Sequence, residues 1–269
     1  LNKNNNLNNV YLVANKRDEI YMPHVKQTLV SLGISTQNLF LISDTDGQAE
    51  TAYLSIQNIQ KKFGEMEEPI IFHNVDTILY NRDLSNLENI LKQYDGYVDI
   101  FKSSNHNYSY VLVADNEVQT IAEKVLISNK ATTGFYAFSS AQKFLEFYSN
   151  KELYISEIYQ KMLDNGSKIT VSATHSEKDT IVLGTPSAYL TSHSISRPGS
   201  TPFSMSTIVK SSEPLRFNFF LLNPSLNWRG SIPIPIKFDL CILSKLSTIT
   251  AFTPSSFVPF AAQSLEDPA

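Results

Sequence analysis

Apolar residues fall into short blocks whose spacing changes along the chain, and the first part reads as strands alternating with helices. Val10-Tyr-Leu-Val-Ala14 is a continuous apolar run of strand length. From Met22 to Leu32 the apolar positions Val25, Leu29 and Leu32 share one helical face, and Gly33 supplies a stop. Leu39–Ile42 predicts a second strand, opening into Ser43-Asp-Thr-Asp-Gly47. A helix over Gln48–Phe63 is expected to bury Ala52, Leu54, Ile56 and Ile59, with Gly64 ending it. Pro69 interrupts the chain, and Ile70, Ile71 and Phe72 form the apolar run expected of a buried parallel strand. Polarity returns abruptly at His73, Asn74 and Asp76, before a helix near Leu84–Tyr94 that turns Leu87 and Leu91 inward. Strands and helices in this rhythm predict parallel βαβ units.

After Asp95 the rhythm changes. Tyr97–Phe101, Tyr108–Ala114, Val118–Glu123 and Thr133–Phe138 read as short strands, with Asp115-Asn-Glu117 as a hairpin turn. Helices follow near Ala141–Tyr148 and Ile155–Leu163, then strands at Lys168–Ala173 and Thr180–Leu183 leading into Gly184-Thr-Pro186. Residues 1–9, mostly Asn, are expected to be disordered, residues 10–192 to form the folded domain, and residues 193–269 to be a Pro- and Ser-rich tail. In that tail Ile232-Pro-Ile-Pro-Ile236 cannot lie in a central strand, because each Pro removes a ladder donor.

Composition narrows the function classes. The net charge of −4 and a pI near 5.8 give no electrostatic footprint for nucleic acid. A single cysteine, Cys241, excludes an internal disulfide framework and a cysteine-rich metal site. No apolar stretch approaches a membrane span and no signal peptide is visible, so a cytoplasmic location is expected.

The candidate chemistry sits where the apolar runs stop. Asp76, just past a strand, is placed either to hold a hard divalent cation or simply to cap the turn. Asp44-Thr-Asp-Gly-Gln-Ala-Glu-Thr51 lies between a strand and a helix start, where Gly47 permits close approach of a ligand and free N–H groups favour anions or base edges. Glu123-Lys124 ends a predicted strand; consecutive strand residues face opposite ways, so the two share a wall only if the backbone bends. Gly134, in Thr132-Thr-Gly134, would let a sugar or phosphate reach the backbone. His24, His73, His106 and His175 show no metal-ligand spacing, and there is no Ser-His-Asp arrangement, Walker loop or GxGxxG.

In this order the motifs resemble the sugar-phosphate nucleotidyltransferase family, over roughly residues 10–190, in the branch associated with capsule and surface polysaccharides. Gly47-Gln-Ala-Glu50 is similar to the segment that reads the nucleotide, and Asn74-Val-Asp76 to the metal-binding strand end. Tyr108-Ser109 corresponds to a pair near the sugar, Glu123-Lys124 to the pair on the sugar and its phosphate, Thr133-Gly-Phe-Tyr136 to the strand closing over the sugar, and Gly184-Thr-Pro186 to the late turn. The resemblance implies an α/β fold with a Rossmann-like mixed sheet flanked by helices, and an unstructured or poorly packed C-terminal tail. It implies transfer of a nucleotidyl group from a nucleoside triphosphate to a sugar 1-phosphate with Mg²⁺, with Asp76 as metal ligand and Lys124 neutralising the sugar phosphate. Gly47, Glu50 and Asn74 would contact the nucleotide, and Tyr108, Ser109, Glu123 and Gly134 the sugar. Neither nucleic acid nor membrane is an expected partner; a homo-oligomer is left open.

Two departures qualify that expectation. Val10–Ala14 aligns with the family's second strand, and Asn15-Lys-Arg17 lacks the glycines of its triphosphate loop, which implies an N-terminal truncation and little turnover. Val182 stands where many relatives carry a second metal-binding Asp, and Asp179 is out of register. A glycosyltransferase of similar architecture and a non-catalytic nucleotide-sugar-binding domain are the alternatives. The tail has its own reading. Codons for an aconitase-like peptide, Ser-Ser-Arg-Asp-Trp-Ala-Ala-Lys-Gly-Thr-Lys, read on the complementary strand out of phase, yield Phe257–Asp267. The same operation on Ser-Asn-Leu-Ile-Gly-Met-Gly-Ile yields Ile232–Lys237, so residues 195–269 resemble an antisense translation.

Overall fold

Val10–Asn15 is buried along its whole length and forms strand β1 of a central sheet. The computed structural model describes residues 9–184 and the backbone of residues 241–245. The expectations for residues 1–8, for Thr185 and Pro186, and for the tail apart from Cys241–Lys245 lie outside the described residues.

Helix α1 (Met22–Ser31) carries the chain from β1 to β2 (Leu39–Ile42), which pairs with β1 in parallel. Helix α2 (Gln48–Phe63) follows, then β3 (Ile70–Asn74), a short β4 (Thr77–Leu79) and α3 (Leu87–Leu91). The second half supplies β5 (Gly96–Lys102), β6 (Tyr110–Ala114), β7 (Glu117–Ala122), β8 (Lys130–Phe138), α4 (Ala141–Phe147), α5 (Ile155–Asp164), β9 (Ile169–Val171) and β10 (Thr180–Val182). Cys241–Lys245 forms β11. Among the described residues the main sheet runs β2-β1-β11-β3-β8-β5-β9-β7-β6, and β10 pairs with β4 in a separate ribbon.

The mixed sheet with helices on both faces is the expected fold class. One face packs Ala49, Ala52, Ile56 and Ile59 of α2, Phe144 of α4 and Ile158, Tyr159 and Met162 of α5 against Phe72, Val98 and Phe138. On the other, α3 covers Ile71, Tyr97 and Ala137, and α1 covers Val10 and Leu12. Rings of Phe72, Phe138 and Phe144 meet at centroid distances of 5.1–5.7 Å. Truncating one such ring to Ala costs about 3–5 kcal/mol.

Four expectations need correction. β3 is buried, but both its neighbours, β8 and β11, are antiparallel to it. Cover on both faces makes the run apolar, whatever the neighbours' direction. Leu54 is only half-buried, because Ala49, Ala52, Ile56 and Ile59 define the inward stripe of α2 and Leu54 falls beside it. The helix expected near Leu84–Tyr94 is confined to Leu87–Leu91. Cys241–Lys245 was not read as a strand; in the sheet it lies antiparallel between β1 and β3.

Two local devices position the site. Asp115 and Asn116 both take positive φ, 52° and 64°, the two-residue hairpin turn that matches strand twist between β6 and β7. Arg82 directs its guanidinium at Asp99, the Tyr80 and Asp179 carbonyls and the Thr180 hydroxyl, all at 2.6–3.3 Å. Both charged side chains are buried, at 5% and 1% exposure, so the pair pins β10 beside β4 from inside.

Candidate functional site

At the end of β3 the side chains of Asn74 and Asp76 fill the space left by two glycines. In β8 the register with β5 shifts between Val98 and Ile100, a bulge that sets Thr133, Gly134 and Phe135 opposite Asp99. Gly134 has φ +83°, and a Cβ there would lie 2.4 Å from Asn74 Nδ2. Asn74 therefore occupies the space that Gly134 leaves. Two residues on, a Cβ on Gly184 would lie 2.6 Å from Asp76 Oδ2, and Leu183 N–H donates to the Asp76 carbonyl at 2.6 Å. Leu183 and Gly184 thus close on Asp76, through the β10–β4 ribbon in which Val182 faces Thr77. Burial pushes the Asp76 carboxyl above its ordinary value, and the Thr77 hydroxyl, 3.3 Å from Oδ1, opposes that.

Glu123 and Lys124 follow β7. Lys124 takes φ +55°, the bend that lets neighbouring residues share one side: its Nζ lies 3.7 Å from Glu123 Oε1. Glu123 Oε2 accepts hydrogen bonds from the Ser109 hydroxyl and, at 2.8 Å, from the Ser156 hydroxyl. Lys124 Nζ donates to the Tyr154 hydroxyl at 2.6 Å, and that bond leads the causes that raise its pKa. Beneath them Tyr136, its hydroxyl 2.9 Å from Thr132 Oγ1, is pushed up to about 12 by burial. A cavity of about 470 Å³ opens beside Glu123, lined also by Lys151, Ser156, Gln160 and Lys161. In its wall burial pushes the Glu152 carboxyl up, but Lys161 and Ser149 outweigh it and hold Glu152 at about 2.

Four consecutive residues at the start of α5 join these groups. The Leu153 carbonyl accepts from Ala49 N–H at 3.0 Å, and a Cβ on Gly47 would lie 2.4 Å from the same oxygen. Tyr154 holds Lys124, Ile155 N–H donates to Gln48 Oε1 at 3.3 Å, and Ser156 holds Glu123. Gln48 Nε2 in turn donates to Asn74 Oδ1 at 2.6 Å. A capping box, with Glu157 accepting from Tyr154 N–H at 3.1 Å, secures this start.

The expected residues Gly47, Asn74, Gly134 and Asp76 cluster at the β3 end, and Ser109, Glu123 and Lys124 form a second cluster joined to the first through α5. Two stand apart. The Glu50 carboxylate turns back to cap Asp46 N–H at 2.6 Å, so its negative end serves the start of α2. Tyr108 packs edge-on against Phe101, at 5.2 Å between centroids, with its hydroxyl raised first by burial and then by Glu177, Tyr110 and Asp76. Asp179 is tied to Asn81 and Ser176. Gln48, Tyr154 and Ser156 were missed; the only sequence signal was Gln48's place inside the Gly47–Glu50 motif.

Among the described residues no group of three or more His, Cys, Asp or Glu side chains gathers as a metal cage. The arrangement fits a Mg²⁺ that keeps water and substrate phosphates as most of its ligands and takes one or two carboxylates from protein. Asp76 is the carboxylate available, and its raised pKa reflects a partly dehydrated charge that a cation would relieve. Asn74 Oδ1 is already engaged by Gln48.

No family model and no curated protein matches the chain. Among solved structures, the nucleoside-diphosphate-sugar pyrophosphorylase from Vibrio cholerae matches with a TM-score of 0.56 and 24% identity, over 66% of this chain and 78% of that one. The inositol-1-phosphate CTP transferase from T. maritima matches with a TM-score of 0.45 and 18% identity, over 59% and 63%. The UDP-glucose pyrophosphorylase from Acinetobacter baumanii matches with a TM-score of 0.46 and 15% identity, over 65% and 66%. The Vibrio likeness shows a shared fold.

Proposed function

We propose that the chain serves nucleotidyl transfer to a sugar 1-phosphate, giving a nucleotide-sugar and pyrophosphate. The observation that carries this reading is the pairing of Glu123 and Lys124 on one side of a bent strand end, linked through α5 to the Gly47 turn and to Asn74 and Asp76. The name of the Vibrio cholerae structure, a nucleoside-diphosphate-sugar pyrophosphorylase, agrees with it. A phosphate oxygen of the sugar phosphate attacks the α-phosphorus of the triphosphate, the α–β phosphoanhydride bond breaks, and pyrophosphate leaves. The protein's part is alignment and charge neutralisation.

In this reading Lys124, held by Tyr154, neutralises the sugar phosphate. Glu123, fixed by two serine hydroxyls through one oxygen, turns the other, 3.7 Å from Lys124 Nζ, to the sugar hydroxyls. The Gly47 turn and Asn74 receive the nucleotide, with Asn74 lying against Gly134. Asp76 would hold Mg²⁺, which supplies charge neutralisation on the phosphates when bound. We further read the product as a precursor for surface polysaccharide, made in the cytoplasm, and residues 195–269 as translated from the strand opposite an aconitase-like gene. The gene sequence tests that last point: no aconitase-like frame on its other strand ends it.

The described residues hold no Gly-rich triphosphate loop, so binding is measured alongside turnover. Glucose 1-phosphate and other sugar 1-phosphates are titrated against the chain, and pyrophosphate is assayed with each nucleoside triphosphate and Mg²⁺. Lys124→Ala should weaken sugar-phosphate binding by roughly 10- to 100-fold, the loss of one charge-assisted contact at 1.5–3 kcal/mol. Binding of intact nucleotide-sugars with hydrolysis or glycosyl transfer, and no exchange with pyrophosphate, would sink the proposal in favour of a glycosyltransferase.

A further inference from the structure

Gln48 lies in the turn we assign to the nucleotide, yet its side chain is spent on the protein. Its Oε1 accepts from Ile155 N–H at 3.3 Å and its Nε2 donates to Asn74 Oδ1 at 2.6 Å. The direction of this relay is set by a group that cannot be reversed. A backbone N–H only donates, so Gln48 must meet Ile155 with its oxygen. That leaves the Gln48 NH₂ for Asn74, which must answer with its carbonyl oxygen. The Asn74 NH₂ is then the end that lies against Gly134, in the space a Cβ there would take, 2.4 Å from Nδ2.

We propose that Gln48 is a positioning residue that fixes the amide polarity of Asn74, so that the site offers a hydrogen-bond donor beside Gly134 and selects a ligand group that accepts there. The ligand's identity rests on the nucleotidyltransferase reading; the polarity does not. Three observations converge on it. The two bonds span 26 and 107 residues in sequence, so they tie separate elements and are not local capping. The bulge in β8 and the positive φ of Gly134 make room for the amide nitrogen of Asn74, a residue that stays partly exposed. And Ile155 belongs to the segment that also holds Glu123 and Lys124, so the same relay sets Asn74 relative to that pair.

Two substitutions separate positioning from packing. In Gln48→Glu the carboxylate still accepts from Ile155 but can only accept, so the Asn74 amide must turn over and present its oxygen beside Gly134. In Gln48→Leu both links are lost and the amide samples both orientations. The first readout is the side-chain NH₂ resonances of Asn74 in the ¹⁵N-labelled free protein. Gln48→Glu should slow their exchange with water at least several-fold while Ile155 N–H stays protected, and Gln48→Leu should speed exchange at Ile155. The second is affinity for whichever of UTP, CTP, ATP, GTP and dTTP, each with Mg²⁺, perturbs Asn74 in the unsubstituted chain. That probe should bind about twofold more weakly to Gln48→Leu, since half the amides are wrongly turned, and about tenfold or more weakly to Gln48→Glu. The neutral nucleoside of the same base, run in parallel, separates polarity from charge repulsion. Folded variants with unchanged Asn74 resonances would overturn the inference. If no triphosphate perturbs Asn74 in the unsubstituted chain, the nucleotide reading fails and the free-protein resonances still decide the polarity.

Discussion

Gly134 and Gly166 have nearly the same backbone, with φ +83° and +81°, but different surroundings. At Gly166 a Cβ would meet nothing within 4 Å, whereas at Gly134 it would enter the Asn74 side chain. Gly166→Ala should therefore lose only the left-handed backbone penalty, roughly 1–2 kcal/mol. Gly134→Ala adds the displacement of Asn74 from Gln48 and should lose about 1–3 kcal/mol more, the range for a disrupted buried hydrogen bond. Urea unfolding of the two variants measures the difference. Equal losses would mean that Asn74 moves aside freely, and the fit at Gly134 would lose its meaning for the site. At this scale the sequence was readable where chemistry is local. Asp76 past a strand, Gly47 before a helix and the Glu123-Lys124 pair all announced themselves. The bend that brings Glu123 and Lys124 together was not legible, because a positive φ at a Lys is imposed by its surroundings. Gln48, Tyr154 and Ser156 are common residues whose partners lie 26 to 107 positions away, and spacing cannot choose such partners.

Elements were legible where burial alone shapes them. β1, β2, α2 and α5 match the apolar runs and helical stripes, because the two strands lie within the sheet and the two helices pack one apolar stripe against it. Pairing was not legible: β3 reads the same whether its neighbours run parallel or antiparallel, and the β10–β4 ribbon depends on Arg82, a single cation in a stretch of ordinary polarity. That ribbon makes a sharp test. Arg82 reaches Asp99, Thr180 and two carbonyls, so Arg82→Met strands a buried carboxylate and frees β10 at once. Breaking a buried pair by removing one partner costs about 3–5 kcal/mol. The loss should be accompanied by faster amide exchange in Thr180–Val182 and at Leu183, whose N–H now meets the Asp76 carbonyl. Replacing both partners, Arg82→Met with Asp99→Leu, should recover much of the stability but not the protection of β10, because Thr180 and the carbonyls remain without their donor. Full recovery of both would show that the ribbon is held by its own ladder and that Arg82 does not position Gly184 on Asp76.

For the molecule as a whole, the response to acid follows from where its ionisable groups are buried. His73 sits in β3 with 8% exposure, beside Phe135, and its Nδ1 has no hydrogen-bond partner among the described residues. Burial, opposed by a backbone bond with Thr77 and reinforced by the Arg82 charge, lowers its pKa from 6.5 to about 4. The unfolded chain therefore takes up a proton below pH 6.5 that the folded chain refuses until about pH 4. Stability is whole above pH 6.5 and falls through this window, by about 3 kcal/mol from His73 when the gap is converted at 1.36 kcal/mol per pH unit. His175, also lowered by burial, acts with the same sign. Glu152 takes over further down: held at about 2 in the fold against 4.5 in the free chain, it supports the structure above pH 4.5 and loses that support as the pH falls towards 2. Asp76, raised by burial, acts with the opposite sign, so the fold should weaken from pH 6.5 downwards by the surplus of His73, His175 and Glu152 over it. Subtracting the stability of His73→Leu from that of the unsubstituted protein at each pH isolates the histidine. The difference should slope by one proton between pH 6.5 and 4 and level off on either side. Curves that stay parallel across that window would mean that His73 titrates normally and that the fold does not keep its ring buried beside Phe135.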